Sequence, residues 1–325
     1  MVAIETSGLT KRFGDVVAVH DLDMTVEDGE VFGFLGPNGA GKSTTINMLL
    51  GFLEATAGSA TVLGHDVESD SLAVRDRIGV LPEEFSPYER LTAREHVEYA
   101  AGLKDCRPDT EALLDRVGLQ EEAWDRPAGD YSKGMCQRLA LATALVGDPE
   151  LLILDEPSSG LDPEGMAGMR DLIREEADSG TTVFFSSHIL SEVEAVCDRV
   201  AILAENELAV EGTLDELRAG TATRVPMELT VDAVPAGLEG ELSTLAGVQT
   251  VTVEETTISV ELAETTDKAR VIDHVGQQTQ ITDVISEEAS LESMFERYAG
   301  GTASEPAGQP DDDPAETAQP PEVKA

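Results

Sequence analysis

Apolar runs alternate with helix-period patterns over the first two thirds of the chain. The apolar runs are 30–35, 151–154 and 182–186. The helix-period segments are 43–52, 92–118, 134–146 and a stretch with Met166, Met169, Leu172 and Ile173 on one face. Short continuous apolar runs are typical of strands buried on both faces of a parallel sheet, and helices connect such strands. The pattern therefore predicts an α/β core over residues 1–220.

The pattern changes from about residue 224. Four short strand-like runs and two helix-like segments follow in the order β-α-β-β-α-β, over 226–231, 236–246, 248–253, 257–262, 265–278 and 281–286. That order predicts a small ferredoxin-like α+β domain. After residue 300 the chain is acidic and rich in proline, which is typical of a disordered tail. We therefore expect three regions: 1–222, 223–299 and 300–325.

Charge narrows the classes of partner. The chain has 325 residues, of which 64 are acidic and 22 basic, so its formal net charge is −42. Such a surface repels nucleic acid and anionic lipid. The acidic residues are spread along the whole chain, and self-repulsion of this size becomes tolerable where molar salt shrinks the Debye length to about 3 Å. We therefore expect adaptation to a salt-rich cytosol, as in halophiles; an ordinary acidic protein is the alternative.

Neither a membrane span nor a secretory signal is recognisable. No stretch approaches the roughly 18 uncharged apolar residues of a spanning helix, and the first residues lack the apolar core of a signal peptide. The three cysteines, Cys106, Cys136 and Cys197, have neither metal nor disulfide spacing. We expect a cytoplasmic chain with reduced thiols.

A glycine-rich loop carries the first chemical signal. The segment is Gly36-Pro37-Asn38-Gly39-Ala40-Gly41-Lys42-Ser43-Thr44, which fits G-x-x-x-x-G-K-[ST] and lies between a predicted strand and a predicted helix. In this motif backbone N–H groups and the helix dipole bind phosphates, the lysine reaches the β- and γ-phosphates, and the serine hydroxyl ligates Mg²⁺. The loop predicts a nucleotide-triphosphate site, with MgATP as the expected ligand.

Two carboxylates end the next apolar run. Asp155 stands at the strand tip and suits the Mg²⁺ shell, while Glu156 is placed to act as a general base on the attacking water. Taken alone, this pair also fits an ordinary acidic loop. Together with the glycine-rich loop it indicates a P-loop NTPase that hydrolyses its nucleotide.

A third segment narrows the class. Tyr131-Ser132-Lys133-Gly134-Met135 precedes a predicted helix, 24 residues before Asp155 in the sequence. Its position resembles the LSGGQ-type signature of ABC transporter ATP-binding subunits, and residues 1–220 resemble that family throughout. The resemblance implies a P-loop core with a helical subdomain and an antiparallel β subdomain. It also implies a head-to-tail dimer, with itself or a paralogue, around two MgATP.

The resemblance implies further roles, residue by residue. Phe13 matches the aromatic that stacks on adenine, with a core phenylalanine as the alternative. Glu83 falls where many relatives have a glutamine that senses Mg²⁺ and the membrane partner; a carboxylate accepts but cannot donate, so its role differs. Asp162 matches the loop that crosses to the opposite subunit. His188 matches the switch histidine at the γ-phosphate.

The signature segment departs from the family form, because Lys133 and Met135 replace a glycine and a glutamine. Ser132 and Gly134, which contact phosphate in the family, remain. The resemblance implies a separate permease that docks near Glu83 and the segment 88–118, which would hold the chain at the cytoplasmic face of the membrane.

The segments 81–104, 131–135 and 289–298 resemble those of the ATPases of ABC-2-type exporters, including those serving copper-site maturation of nitrous-oxide reductase. A soluble ABC-type ATPase of translation or repair and a non-hydrolysing regulatory module are the alternatives. The first would need two nucleotide domains or a coiled-coil insertion, and the second would lack Glu156 or His188.

Overall fold

A computed structural model describes residues 1–221, 225–235, 237–263 and 267–286. The strands are β1 (Val2–Phe13), β2 (Val16–Glu27), β3 (Val31–Leu35), β4 (Ala57–Val62), β5 (His65–Asp66), β6 (Ile78–Leu81), β7 (Leu151–Asp155), β8 (Thr182–Ser187), β9 (Arg199–Ala204), β10 (Glu207–Thr213), β11 (Val225–Val231), β12 (Val248–Glu254), β13 (Thr257–Leu262) and β14 (Ile281–Ser286). The predicted tail over 300–325 lies outside the described residues.

The helices are α1 (Lys42–Leu49), α2 (Ser71–Arg77), α3 (Ala93–Leu103), α4 (Thr110–Arg116), α5 (Glu121–Trp124), α6 (Lys133–Ala144), α7 (Pro163–Asp178), α8 (Leu190–Val196), α9 (Leu214–Thr221), α10 (Leu238–Leu242) and α11 (Lys268–Gly276). Within the described residues, no helix is both long and apolar enough to cross a membrane.

The central sheet has the strand order β10-β9-β3-β8-β7-β6. Strands β9, β3, β8, β7 and β6 run parallel, as the continuous apolar runs predict, and β10 pairs antiparallel at one edge. Alternate residues of these strands face two different cores. Phe32, Phe34 and Phe184 enter one core, and Val183 and Phe185 enter the other. Both faces of the central sheet are therefore packed against buried cores, which fixes the positions of its strand ends.

An antiparallel sheet, in the order β2-β1-β4-β5, packs its inner face into the same core as Phe32 and Phe34. The long hairpin β1–β2 shows alternating burial, for example at Leu22, Met24 and Val26, all buried. The antiparallel β subdomain implied by the family resemblance is therefore present.

The helical segment expected over 92–118 is two helices rather than one. Helix α3 begins with a capping box between Thr92 and Glu95 and ends at Leu103. Asp105 then adopts a positive φ of 48°, and Asp109 caps α4 by accepting from Ala112 N. The intervening Pro108 lacks an N–H and disfavours helix at the residue before it, which explains the break.

The described part of 225–286 forms a separate sheet in the order β12-β13-β11-β14, with every neighbouring pair antiparallel. The chain order β11-α10-β12-β13-α11-β14 is the predicted β-α-β-β-α-β order, and this sheet order is that of a ferredoxin-like sandwich. Its core has its own residues, including Leu229, Leu242, Ile258 and Val271. The expectation of an α/β P-loop fold followed by a ferredoxin-like unit is confirmed.

Candidate nucleotide-binding and hydrolysis site

Polar residues converge at the carboxyl end of the central sheet. The glycine-rich loop follows β3, Asp155 ends β7 with Glu156 directly after it, His188 follows β8, and Glu83 follows β6. Because these strands are parallel, their carboxyl ends meet at one edge, where open α/β sheets bind ligands. A cavity of about 280 Å³ opens there. It is lined by Ala18, Pro37, Asn38, Gly39, Gly41, Lys42, Ser43, Thr44, Glu83 and Glu156.

The glycine-rich loop needs glycine at Gly41 for two reasons. Its φ is 105°, a conformation that other residues rarely adopt, and an added Cβ would lie 2.4 Å from the carbonyl oxygen of Ala18. The loop leads directly into α1, whose first residues, Lys42, Ser43 and Thr44, line the cavity. Gly36 and Ala40, the two loop residues that do not line the cavity, are its structural support: Gly36 O accepts from Lys42 Nζ at 2.8 Å, and Ala40 is buried.

Lys42 and Glu156 form a buried ion pair across the cavity. Lys42 Nζ lies 3.2 Å from Glu156 Oε1, and both residues are 6% exposed. A buried charge is retained only where it is paired and hydrogen-bonded. The predicted phosphate-binding lysine and the predicted general base therefore contact each other as an ion pair in this structure.

Glu156 is aimed by its backbone as well as by its partners. It has a positive φ of 49°, which is unusual for a residue with a long side chain, and its N–H donates to Ser186 Oγ at 3.0 Å. Its second carboxylate oxygen, Oε2, lies 2.8 Å from Nδ1 of His188. Glu156 thus links Lys42 on one side to His188 on the other.

Asp155 lies beside this pair and is 7% exposed. Its Oδ1 accepts from Ser186 Oγ at 2.6 Å. Burial raises the pKa of Asp155 above its ordinary value, while hydrogen bonds from Ser186 and from Ser43 oppose that rise. The Ser43 hydroxyl and the Asp155 carboxylate therefore meet, although Asp155 itself does not line the cavity.

Besides Gly36, Ala40 and Asp155, the predicted residues His188, Phe13, Ser132, Gly134 and Asp162 do not line the cavity. Phe13 is 52% exposed at the β1–β2 turn, with Lys11 Nζ 5.2 Å from its ring centroid. Ser132 is exposed and caps α6 by accepting from Met135 N at 3.3 Å, and Gly134 is in the first turn of that helix. Asp162 caps α7 by accepting from Gly165 N at 2.8 Å. This chain by itself does not bring Phe13, Ser132, Gly134 or Asp162 to the phosphate loop.

The signature segment touches the loop that contains Asp162 instead. A Cβ at Gly160 would overlap the side chain of Lys133, and a Cβ at Gly134 would lie 3.8 Å from Leu161 Cδ2. The exposed Lys133 therefore lies along the 159–162 loop, and the two segments form one surface of the molecule.

Sequence reasoning missed two residues that hold the site together. Ser186 bonds both neighbouring acidic residues, and nothing in the run of strand residues distinguishes its hydroxyl from that of Ser187. Asn206, in the β9–β10 turn, donates to the carbonyl oxygens of Ala18 at 3.0 Å and Gly39 at 3.2 Å. An asparagine in a turn is ordinarily explained by its tolerance of positive φ, here 69°, so its sequence context gives no sign of this second role.

Residues 19–159 match the family model described as ABC transporter. The linearmycin resistance ATP-binding protein of Bacillus subtilis is 30% identical over 308 residues, which are 92% of this chain and 99% of that protein. The daunorubicin/doxorubicin resistance ATP-binding protein of Streptomyces peucetius is 42% identical over 228 residues, 69% of each chain. Two cyanobacterial ABC transporter ATP-binding proteins, from Nostoc and Synechocystis, are 47% and 43% identical, and the chain spans only 62% and 58% of their lengths.

Solved structures agree with this likeness. An ATP-binding subunit of an ABC transporter has a TM-score of 0.61 at 30% identity, covering 67% of this chain and 92% of that one. A dimeric bacterial ABC transporter cassette has a TM-score of 0.59 at 25% identity, covering 65% of this chain and 98% of that one. Because a relative that is 30% identical matches over nearly its full length, and because the phosphate loop and the Asp155–Glu156–His188 group are present, this chain belongs to the ATP-binding subunits of ABC transporters.

Proposed function

We propose that this chain is the ATPase of an exporter, which dimerises around two MgATP and drives a separate membrane permease. The observation that carries the proposal is the contact of Glu156 with both Lys42 and His188 at the phosphate loop. A nucleotide-binding module without hydrolysis would have no need of a carboxylate held between these two groups. Export is supported by two of the relatives, which are named for resistance to linearmycin and to daunorubicin and doxorubicin.

The donors beside the loop suit Mg²⁺. Ser43 and Asp155 offer hard oxygen atoms that already meet, and Glu83 lines the same cavity. Within the described residues, no group of three or more His, Cys, Asp or Glu side chains is arranged to hold a metal by itself. Mg²⁺ commonly takes one or two carboxylates and completes its shell with phosphate oxygens and water. When bound, it would neutralise charge on the phosphates.

In this proposal the chain's own groups divide the work of hydrolysis. Lys42 leaves Glu156 and binds the phosphates, and Glu156 is then free to take a proton from the attacking water. His188, still bonded to the other carboxylate oxygen of Glu156, keeps that side chain oriented. The glycine-rich loop supplies backbone N–H donors to the phosphates without conformational cost.

Dimerisation would complete each site. Ser132 and Gly134 present the N-terminus of α6, which has 12 residues, on a surface away from their own phosphate loop. We infer that they bind the phosphates held by a second copy or a paralogue, with Asp162 in the contacting loop and Phe13 stacking on adenine. The dimeric cassette among the similar structures supports this arrangement.

The permease would dock near Glu83 and the segment 88–118. Exposed aromatic side chains lie there: Tyr88 is 61% exposed, Tyr99 is 50% exposed, and their rings meet edge-on at 5.9 Å. Large exposed apolar groups that cluster in this way are typical of interaction surfaces. Docking would keep the chain on the cytoplasmic face of the membrane. The copper-maturation branch stays an untested prediction, because cargo is chosen by the permease.

A pull-down tests the proposal. Tagged Glu156→Gln protein would be mixed with detergent-solubilised membranes in molar KCl with ATP, and the bound proteins identified. We expect a protein with several membrane spans; the control is Lys42→Ala protein, which should recover less of it. Recovery of ribosomal or other soluble partners alone would instead favour the soluble ABC-type ATPase.

We also propose the regional division into an ATP-binding domain (1–222), an accessory domain (223–299) and an acidic tail (300–325).

We propose in addition that the chain is adapted to high salt, and the net charge of −42 supports this. Thermal melts of the whole chain in about 0.1 M and about 2 M KCl measure it, because screening weakens self-repulsion. A clearly higher Tm in 2 M KCl is expected. Equal Tm values at both salt concentrations would contradict it.

A further inference from the structure

A single buried hydroxyl joins the two acidic residues of the site. Ser186, on β8, is the strand partner of Asp155 on β7 and has no exposed surface. Its Oγ donates to Asp155 Oδ1 at 2.6 Å and accepts from the N–H of Glu156 at 3.0 Å. A serine hydroxyl has one donor and two acceptor positions, so both of these bonds can form at once.

The bond to Glu156 matters because of that residue's backbone. A φ of 49° is disfavoured for a residue with a Cβ, and Pro157 restricts the residue before it further. The turn persists where its surroundings impose it. Ser186 supplies one such restraint, because its Oγ accepts from the buried N–H of Glu156. The turn then directs the Glu156 carboxylate to Lys42 and His188.

We propose that Ser186 is a positioning residue for hydrolysis: it holds the Glu156 backbone in the left-handed turn and thereby fixes the general base relative to His188. The inference rests on the proposed function of Glu156. It assigns to Ser186 no contact with ATP, so its loss should slow turnover and leave nucleotide affinity nearly unchanged.

Three variants of the full chain test the proposal. Ser186→Ala removes the hydroxyl at nearly constant volume, and Ser186→Thr retains it. Thr182→Val is the matched control: Thr182 lies at the other end of β8, is equally buried, and its Oγ1 accepts from Gly29 N at 2.9 Å, roughly 13 Å from Ser186 along the strand. Each variant would be measured for kcat, for the Kd of ATP with and without Mg²⁺, and for Tm.

For Ser186→Ala we expect kcat to fall roughly 10- to 100-fold, because the buried N–H of Glu156 loses its partner and the Glu156 carboxylate is no longer held in position. The Kd of ATP should stay within about 2-fold of wild type. Ser186→Thr should recover most of the rate. Thr182→Val should lower Tm to a similar extent while keeping kcat. A rate for Ser186→Ala within about 2-fold of wild type, or an equal loss in Thr182→Val, would overturn the proposal.

A double-mutant cycle separates positioning from general damage. If Ser186 acts through Glu156, Ser186→Ala should cost little additional rate in a Glu156→Gln background. The same fold loss in both backgrounds would refute positioning. Wild-type turnover in Glu156→Gln would contradict the proposed role of Glu156 itself. Wild-type turnover in Ser186→Ala, with Glu156→Gln inactive, would contradict only the positioning role of Ser186.

Discussion

Two surfaces of this molecule carry nucleotide motifs, and they differ in how complete they are. At the phosphate loop, Glu156 contacts Lys42, His188 and Ser186, and its Oε1 has an ion-pair partner but no hydrogen bond. On the signature surface, formed by residues 131–135 and 159–162, Ser132 is exposed, and its bond to Met135 N closes only its own helix cap. The complete surface gathers its functional side chains at the phosphate loop, and the incomplete surface presents a helix N-terminus outward.

The difference fits our proposal that two chains build each hydrolysis site. Polar groups at a helix N-terminus require partners from outside the helix. Within the described residues the signature surface contacts the 159–162 loop and not the phosphate loop. A head-to-tail pairing would bring the complete surface of one copy to the incomplete surface of the other. Two-fold symmetry would form this contact twice in each dimer.

The largest effect should come from removing the base on the complete surface. Glu156→Gln keeps the size of the side chain but is neutral and cannot take a proton, so kcat should fall roughly 10²- to 10⁴-fold. ATP binding and ATP-dependent dimerisation should persist, as followed by steady-state phosphate release and by size-exclusion chromatography with ATP. Glu164→Gln, an exposed position in the first turn of α7, is the control. Unchanged turnover would remove Glu156 from its role.

A smaller effect, on binding rather than on chemistry, should follow loss of the loop cation. Lys42→Ala removes a charge-assisted bond to phosphate and leaves Glu156 buried without its ion pair. The Kd of ATP should rise at least about 10-fold by equilibrium titration. Lys268→Ala, at the first position of α11 in the C-terminal unit, is the lysine control for charge. Equal affinities of Lys42→Ala and wild type would contradict the assignment.

The incomplete surface should give the smallest effect in a single variant and the most informative one in a mixture. Ser132→Ala should lower turnover about 10-fold and leave the ATP affinity of the monomer unchanged, since it removes a cap and a contact to the partner's phosphate. At an ATP concentration too low for Lys42→Ala to bind, mixing Lys42→Ala with Ser132→Ala should restore activity, because each mixed dimer contains one intact composite site.

The restored rate should approach about a quarter of wild type, since random pairing makes half the dimers mixed and each has one intact site of two. This holds if the two sites act independently. No recovery on mixing, with both proteins folded by Tm and circular dichroism, would break the comparison between the two surfaces.

Much of this site could be predicted from the sequence because its parts are local. The glycine-rich loop and the Asp155–Glu156 pair each lie within a few residues of a recognisable strand. The ion pair between Lys42 and Glu156 could not be predicted, since it joins positions far apart in the chain through sheet pairing. The role of Ser186 depends on its register with Asp155, which no sequence pattern specifies.

The fold shows the same limit. Continuous apolar runs indicated β3, β7 and β8, but the antiparallel sheet of β1, β2, β4 and β5 was expected only from the family resemblance. Its strands are interrupted by register shifts and short loops, so no run of alternation marks their ends. Predicting the break between α3 and α4 required the positive φ of Asp105 as well as the presence of Pro108.

The ion pair between Lys42 and Glu156 has a consequence for timing. In the proposed mechanism, the triphosphate competes with Glu156 for the Lys42 ammonium, so the base becomes available when the phosphates take up that cation. Loss of the buried ion pair would then offset part of the interaction free energy between Lys42 and ATP. Nucleotide binding and activation of the base would be linked through this one contact.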